Sequence, residues 1–98
     1  MVKQIIWNKR ADKKFDDIAT YLHDNGSMKT ATNFGDAVYK QIDALVRQPK
    51  LGRISPNRPS IRLLNIDDYR LLAYRIQGTT VHIVDIWDMR QDPKKRKY

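Results

Sequence analysis

Apolar residues recur along this chain with two different periods, and the change of period divides it. Val2 to Trp7 (VKQIIW) is a short β-rich run, suited to an edge strand. Asn8 then offers a helix N-cap. Ala11, Phe15, Ile18, Ala19 and Leu22 follow at offsets of four, seven, eight and eleven, which is one face of a helix. Asn25-Gly26 stops that helix, and Ser27 is the N-cap of a second. Its stripe is Ala31, Phe34, Val38, Ile42 and Leu45, and Pro49 ends it. With so short a turn between them the two helices form an antiparallel hairpin. Gly35 lies inside the second helix, where glycine costs about 1 kcal/mol relative to alanine. Close packing of the two helices is the expected reason for it.

Lys50 to Pro59 is a loop punctuated by Gly52, Pro56, Asn57 and Pro59. Three β-rich runs follow: Ile61 to Ile66, Tyr69 to Gln77 and Thr80 to Trp87. Asp67-Asp68 and Gly78-Thr79 separate them, which predicts two tight hairpins and an antiparallel meander. The predicted order is β-α-α-β-β-β, an α+β fold with the helical hairpin packed on one face of an antiparallel sheet. The first strand is expected to join that sheet. The opposite face is expected to stay partly open to a ligand. Asp88 to Tyr98 reads as an exposed basic tail holding Arg90, Lys94, Lys95, Arg96 and Lys97.

Length and composition narrow the class. The chain has 98 residues, which fits a single domain over 1–98. Cysteine is absent, which excludes disulfides and thiolate metal sites and suits a reducing compartment. No stretch approaches the ~20 apolar residues that span a bilayer, and Met1 to Trp7 is too short and too polar for a signal peptide. A cytoplasmic protein with no membrane partner is expected. There are 19 Lys+Arg against 11 acids, a net charge of +8, and every acid is Asp. That balance suggests an acidic or nucleic-acid partner, although a charge of this size also serves solubility alone.

The common catalytic sets are missing. The two histidines, His23 and His82, read as structural or surface residues, and no spacing suggests a metal site. There is no phosphate-binding glycine loop and no nucleophile elbow. No cofactor is expected. Arginine on or beside the strands stands out instead: Arg62, Arg70, Arg75 and Arg90, with Arg53 in the loop before them. Arg62, Arg70 and Arg90 come from successive β segments, so they can converge and bind phosphate bidentately or stabilise its transition-state charge. Equally, they can be strand-end cations paired with Asp67, Asp68, Asp85 and Asp88. Tyr69, Tyr74, Trp87 and Tyr98 interleave with them, and aromatics beside cations suit stacking on unpaired bases. Tyr74 and Trp87 read as core, whereas Tyr98 ends the tail and reads as the free one.

Taken together these residues resemble the RelE/ParE toxin superfamily over most of the chain. The likeness runs through Trp7, Ala11, Phe15, Ile18 and Tyr21, then Ser27, Ala31, Phe34, Ile42, Leu45, Pro49 and Gly52-Arg53. It is strongest in Arg62, Tyr69-Arg70, Tyr74-Arg75 and VDIWDMRQDP (84–93), whose Asp-x-Arg-Gln-Asp-Pro is similar to the ParE branch. The resemblance implies the toxin of a type II toxin–antitoxin pair, with a cognate antitoxin as partner. A ParE-like member is expected to inhibit growth through a protein target such as DNA gyrase. A RelE-like member would be a ribosome-dependent mRNA endonuclease, with Arg70, Arg90 and Tyr98 in catalytic positions. Lys50, Arg53, Arg62, Arg75, Lys94, Lys95 and Arg96 would then bind RNA or a partner. A third possibility is a non-toxic domain that binds an antitoxin or RNA. The chain has no Glu, unlike the YoeB-like subset, and its stretch Asp88-Met89-Arg90 lacks the His that some nucleases carry there.

Overall fold

The computed structural model describes residues 2–90 and 97–98. Strand β1 (Gln4–Trp7) is followed by helices α1 (Lys9–Asn25) and α2 (Met28–Arg47), then strands β2 (Arg53–Ile54), β3 (Arg62–Asn65), β4 (Arg70–Gln77) and β5 (Thr80–Asp88). The five strands form one sheet in the order β1-β5-β4-β3-β2. β1 pairs parallel with β5 at one edge, and the other pairings are antiparallel. The expected α+β arrangement of a helical hairpin on a sheet is therefore observed, with one strand more than the periodicity predicts. β2 is two residues long, too short to show an alternation. It exists because Arg53 and Ile54 pair with Leu63 and Arg62.

The helix boundaries follow local chemistry. Ser27 Oγ accepts the Thr30 backbone N–H at 3.1 Å, satisfying one of the donors that a helix start leaves open. Asn8 stands at the predicted cap of α1 with an extended backbone, but its side chain makes no cap bond; its carbonyl accepts the Asp12 N–H at 2.9 Å. Each helix turns its predicted stripe toward the core, except that Ala31 near the start of α2 is half-buried and lies outside the core cluster. Ala11 of α1 and Phe34, Val38, Ile42 and Leu45 of α2 are buried, and Phe15, Ile18, Ala19 and Leu22 pack against them. The sheet answers with Leu72, Tyr74, Val81, Ile83 and Ile86.

An irregularity in the β4–β5 ladder decides which side chains reach that core. Ala73 pairs with Asp85 but Tyr74 pairs with Ile83, so Val84 is an extra residue on β5. A strict period of two from Val81 and Ile83 would turn Ile86 away from the helices. The bulge turns it back, opposite Leu72. The other face carries its own apolar layer of Ile61, Leu63, Leu71, Ala73, Trp87 and Tyr98. That face was expected to be partly open. Here its centre is covered by the last residue of the chain, because Leu71 and Trp87 supply an apolar surface that leaving in water would cost.

Tyr74 ties the sheet to the loop after α2. Its buried hydroxyl donates to the Pro49 carbonyl at 2.6 Å and accepts the Gly52 N–H at 2.8 Å. Burial raises its pKa above the usual 10.0, which keeps the hydroxyl protonated and donating. A Cβ on Gly52 would lie 2.8 Å from this hydroxyl and 2.9 Å from the Leu63 carbonyl, so glycine is required there by space. Gly35 differs. A Cβ there would meet Phe15 Cζ at 3.8 Å, an ordinary contact, so the helices face each other at this point without needing glycine. Two alanine substitutions should therefore have opposite signs in urea unfolding. Gly35→Ala should raise stability by roughly 0.5–1 kcal/mol, and Gly52→Ala should lower it by about 1–3 kcal/mol.

Candidate functional site

The bulge that returns Ile86 to the helix side also returns Asp88, which pairs in register with Arg70. Both line a groove of about 380 Å³ between α1 and the ends of β4 and β5. Lys14, Asp17, Ile18 and Tyr21 line it from α1, spaced three, four and seven residues from Lys14 and hence on one helical face. Ile86 forms part of the wall, and Arg90 lies at its end.

The ionic side chains of the groove are held in pairs. Asp67 Oδ1 accepts the backbone N–H groups of Tyr69 and Arg70, each at 2.8 Å, and Oδ2 accepts Arg70 Nη1 at 3.1 Å. The Arg70 guanidinium lies 5.5 Å from the centre of the Phe34 ring. Asp88 Oδ1 accepts the Arg90 backbone N–H at 2.8 Å and Nε at 3.1 Å, and Oδ2 accepts Nη2 at 2.8 Å. That fork holds the Asp88 carboxyl below the usual carboxylate range and pushes Arg90 up. The Arg90 guanidinium also covers the exposed Tyr69 ring at 4.5 Å. Lys13 pairs with Asp17 at 2.9 Å, which raises the lysine pKa.

Behind this groove lies a buried carboxylate. Asp85 is 1% exposed and receives the Ile86 N–H at 2.8 Å, the Tyr98 hydroxyl at 3.1 Å and Lys14 Nζ at 3.5 Å. Lys14 also donates to the Ile86 carbonyl at 3.1 Å and sits 5.6 Å from the Trp87 ring centre. Tyr98 was expected to be free at the end of an exposed tail, and the structure corrects this. It is 2% exposed, its ring packs edge-on against Trp87 at 6.0 Å, and Ser55 Oγ donates to its carbonyl at 2.9 Å. Burial and the adjacent Asp85 charge raise its pKa above 10.0, so the hydroxyl stays a hydrogen-bond donor.

Of the arginines singled out from the sequence, the fold brings Arg70 and Arg90 together in one groove. Arg62 shares the helix-side face but is spent on the loop, donating to the carbonyls of Gly52 at 2.7 Å and Lys50 at 3.2 Å. Arg53 is on the outer strand and donates to Asn65 Oδ1 at 3.1 Å. Arg75 pairs in register with His82 on the face away from the helices, and Lys50 is exposed in the loop. Lys94, Lys95 and Arg96 lie outside the described residues. Lys14, Tyr21 and Ser55 were missed. The spacing Lys14-Asp17-Ile18-Tyr21 was a usable signal for the first two, whereas nothing local marks Ser55. Among the described residues no cluster of three or more potential metal-binding side chains occurs, and no helix is long and apolar enough to cross a membrane.

The sequence profile of the ParE toxin of the type II toxin–antitoxin system, parDE, matches residues 5–93. The chain belongs to the ParE toxin family. No curated protein sequence matches it. Among solved structures it is similar to the chromosomal ParDE toxin–antitoxin system of P. aeruginosa, with 20% identity, a TM-score of 0.76, and 92% of this chain and 98% of that one covered. It is also similar to the YoeB/ParE toxin of Agrobacterium tumefaciens, with 12% identity, a TM-score of 0.63 and coverages of 88% and 98%. The YoeB–YefM complex of Staphylococcus aureus gives 14% identity, a TM-score of 0.57 and coverages of 88% and 94%. At these identities the structures share the fold.

Two measurements check the site. Because the folded Asp88 pKa is depressed, its pairing stabilises the fold above the unfolded value and is lost as pH falls through the folded one. An NMR titration of this ParE-family chain should place the Asp88 midpoint below 3.8, and Arg90→Ala should move it upward. Tyr98→Ala should cost about 3 kcal/mol in urea unfolding, through loss of the Trp87 packing and the bond to Asp85; unchanged stability would mean the terminus is undocked in solution.

Proposed function

We propose that this ParE-family chain is a growth-inhibiting toxin that acts by binding a protein target, DNA gyrase being the one the family resemblance points to. One observation carries the reading. Each ionic side chain lining the groove is already paired: Lys14 with Asp85, Asp17 with Lys13, Arg70 with Asp67, and Asp88 with Arg90. Phosphate cleavage needs a free cation at the phosphate and a group able to move a proton. Paired charges beside Ile18, Tyr21 and Ile86 instead suit a surface that recognises a protein, where polar groups fix register and apolar ones supply affinity. Of the residues that a RelE-like reading would use for proton transfer, Lys50, Lys94 or Tyr98, the Tyr98 hydroxyl is turned into Asp85 and Lys50 is exposed in the loop. The cognate antitoxin is the second partner, its acidic, amphipathic C-terminal segment folding onto this basic chain in the cytoplasm.

The experiment is expression without an antitoxin, followed by two assays on the purified chain. Growth should stop, gyrase supercoiling should be inhibited, and mRNA in a reconstituted translation reaction should stay intact. New mRNA ends at ribosome-occupied codons, with supercoiling unaffected, would replace this reading by the endonuclease, with Arg70, Arg90 and Tyr98 as its catalytic candidates. Continued growth would leave a non-toxic domain that binds an antitoxin or RNA. Arg70→Ala and Arg90→Ala should both retain some toxicity under the binding reading, and both lose it entirely under the nuclease reading.

A further inference from the structure

A second, smaller pocket of about 160 Å³ lies on the opposite flank of α1, lined by Trp7, Asp12, Phe15 and Tyr39. Three aromatic rings and one carboxylate from three elements meet there. Trp7 and Phe15 are 5.6 Å apart edge-on, Phe15 and Tyr39 6.0 Å edge-on, and Trp7 and Tyr39 6.4 Å and tilted. Phe15 is tied to the core through Phe34 at 5.4 Å, so the inner wall is fixed. Tyr39 is 55% exposed and Asp12 is exposed, so the outer wall is open to a ligand.

Two observations indicate what the pocket would take. Four other rings, Phe34, Tyr69, Trp87 and Tyr98, are each covered by a cation of this chain. Among the described residues no such cation covers Trp7, Phe15 or Tyr39, although the chain carries 19 Lys and Arg. The carboxylates show the same division. Asp12 and Asp16 stand one turn apart on α1, and Asp36 and Asp43 flank Tyr39 by about one turn on α2; among the described residues none of the four has an ion-pair partner. Lys9, Lys40 and Arg47 stand within about one helical turn of them and form no ion pair among the described residues, so this face is close to neutral on a chain of net charge +8. Electron-rich ring faces beside an unpaired carboxylate attract a cation. The volume is well below the roughly 300–1,000 Å³ of a small-molecule site and fits the tip of a side chain.

We propose that the Trp7–Phe15–Tyr39 pocket, with Asp12 at its rim, captures an arginine or lysine side chain from a basic segment of a protein partner. The surface is distinct from the Arg70–Arg90 groove, so it does not depend on what that groove binds. The guanidinium or ammonium would lie against the indole and phenol faces while Asp12 supplies the charged contact. A second protein could then engage the helical hairpin while the groove side is occupied.

The test is an NMR titration of the full chain with a capped Gly-Arg-Gly peptide. The matching Gly-citrulline-Gly peptide, of nearly the same shape but uncharged, and tetramethylammonium serve as comparison probes. The arginine peptide should shift the Trp7 indole and Tyr39 signals saturably, more strongly than either. Tyr39→Ala and Asp12→Asn alter exposed positions, and each should weaken binding about fivefold. Arg90→Ala, which removes contacts to Asp88 and Tyr69 on the groove side, should leave binding unchanged. Equal shifts with the citrulline peptide, or no shift of Trp7 at saturating peptide, would overturn the proposal. Binding of tetramethylammonium without the arginine peptide would overturn it too, in favour of a site for free quaternary ammonium compounds. A failure here would leave the gyrase and mRNA assays unaffected, so the two readings fall separately.

Discussion

The extra residue at Val84 governs both faces of the sheet. Before it, β5 sends Val81 and Ile83 toward the helices; after it, Ile86 and Asp88 take that direction and Trp87 takes the other. Removing the offset would turn Asp85 into the helix-side core and Ile86 and Asp88 to the other face, because a strand slipped by one residue exchanges its faces completely. The hydrophobic core thus enforces the bulge. The ionic groove inherits its geometry from the same step, since Asp88 faces Arg70 only in this register.

Two apolar layers of unequal size follow from that sheet. The larger lies under the helical hairpin and the smaller under Tyr98. The smaller layer contains the most demanding electrostatics, because Asp85 is buried beside it. Taking a carboxylate out of water costs several kcal/mol unless it is paired and hydrogen-bonded. Lys14, the Ile86 N–H and the Tyr98 hydroxyl together meet that requirement. Lys14 also lines the groove, so the packing of the terminal residue and the charge pattern of the candidate site are physically coupled.

Charge is divided over the molecule rather than spread evenly. The groove side holds arginines locked to aspartates, whereas the hairpin flank around Tyr39 holds aspartates without partners among the described residues. A family member of net charge +8 therefore presents two surfaces of different character. Paired charges near apolar side chains can fix the register of a docked surface. Unpaired carboxylates beside open rings favour a cation.

The helical hairpin, the meander and their order were legible in the sequence, because the spacing of Ala11 to Leu22 and of Ala31 to Leu45 is a property of neighbouring residues. So were Ser27 as a cap and the resemblance to the toxin superfamily, which the matched family profile over residues 5–93 bears out. Arg70 and Arg90 were visible as candidates, but their companionship was not. Of the two alternatives, convergence and pairing with aspartate, both turned out to hold for these two, while Arg62 was drawn off to the carbonyls of Lys50 and Gly52. The burial of Tyr98, the two-residue β2 and the Trp7–Phe15–Tyr39 pocket depend on contacts between residues far apart in the chain. Local spacing fixes how a segment coils and which of its faces is apolar. Which charge meets which, and which ring is left uncovered, is set by strand register and helix docking, and these are decided only when the separate faces are buried against one another.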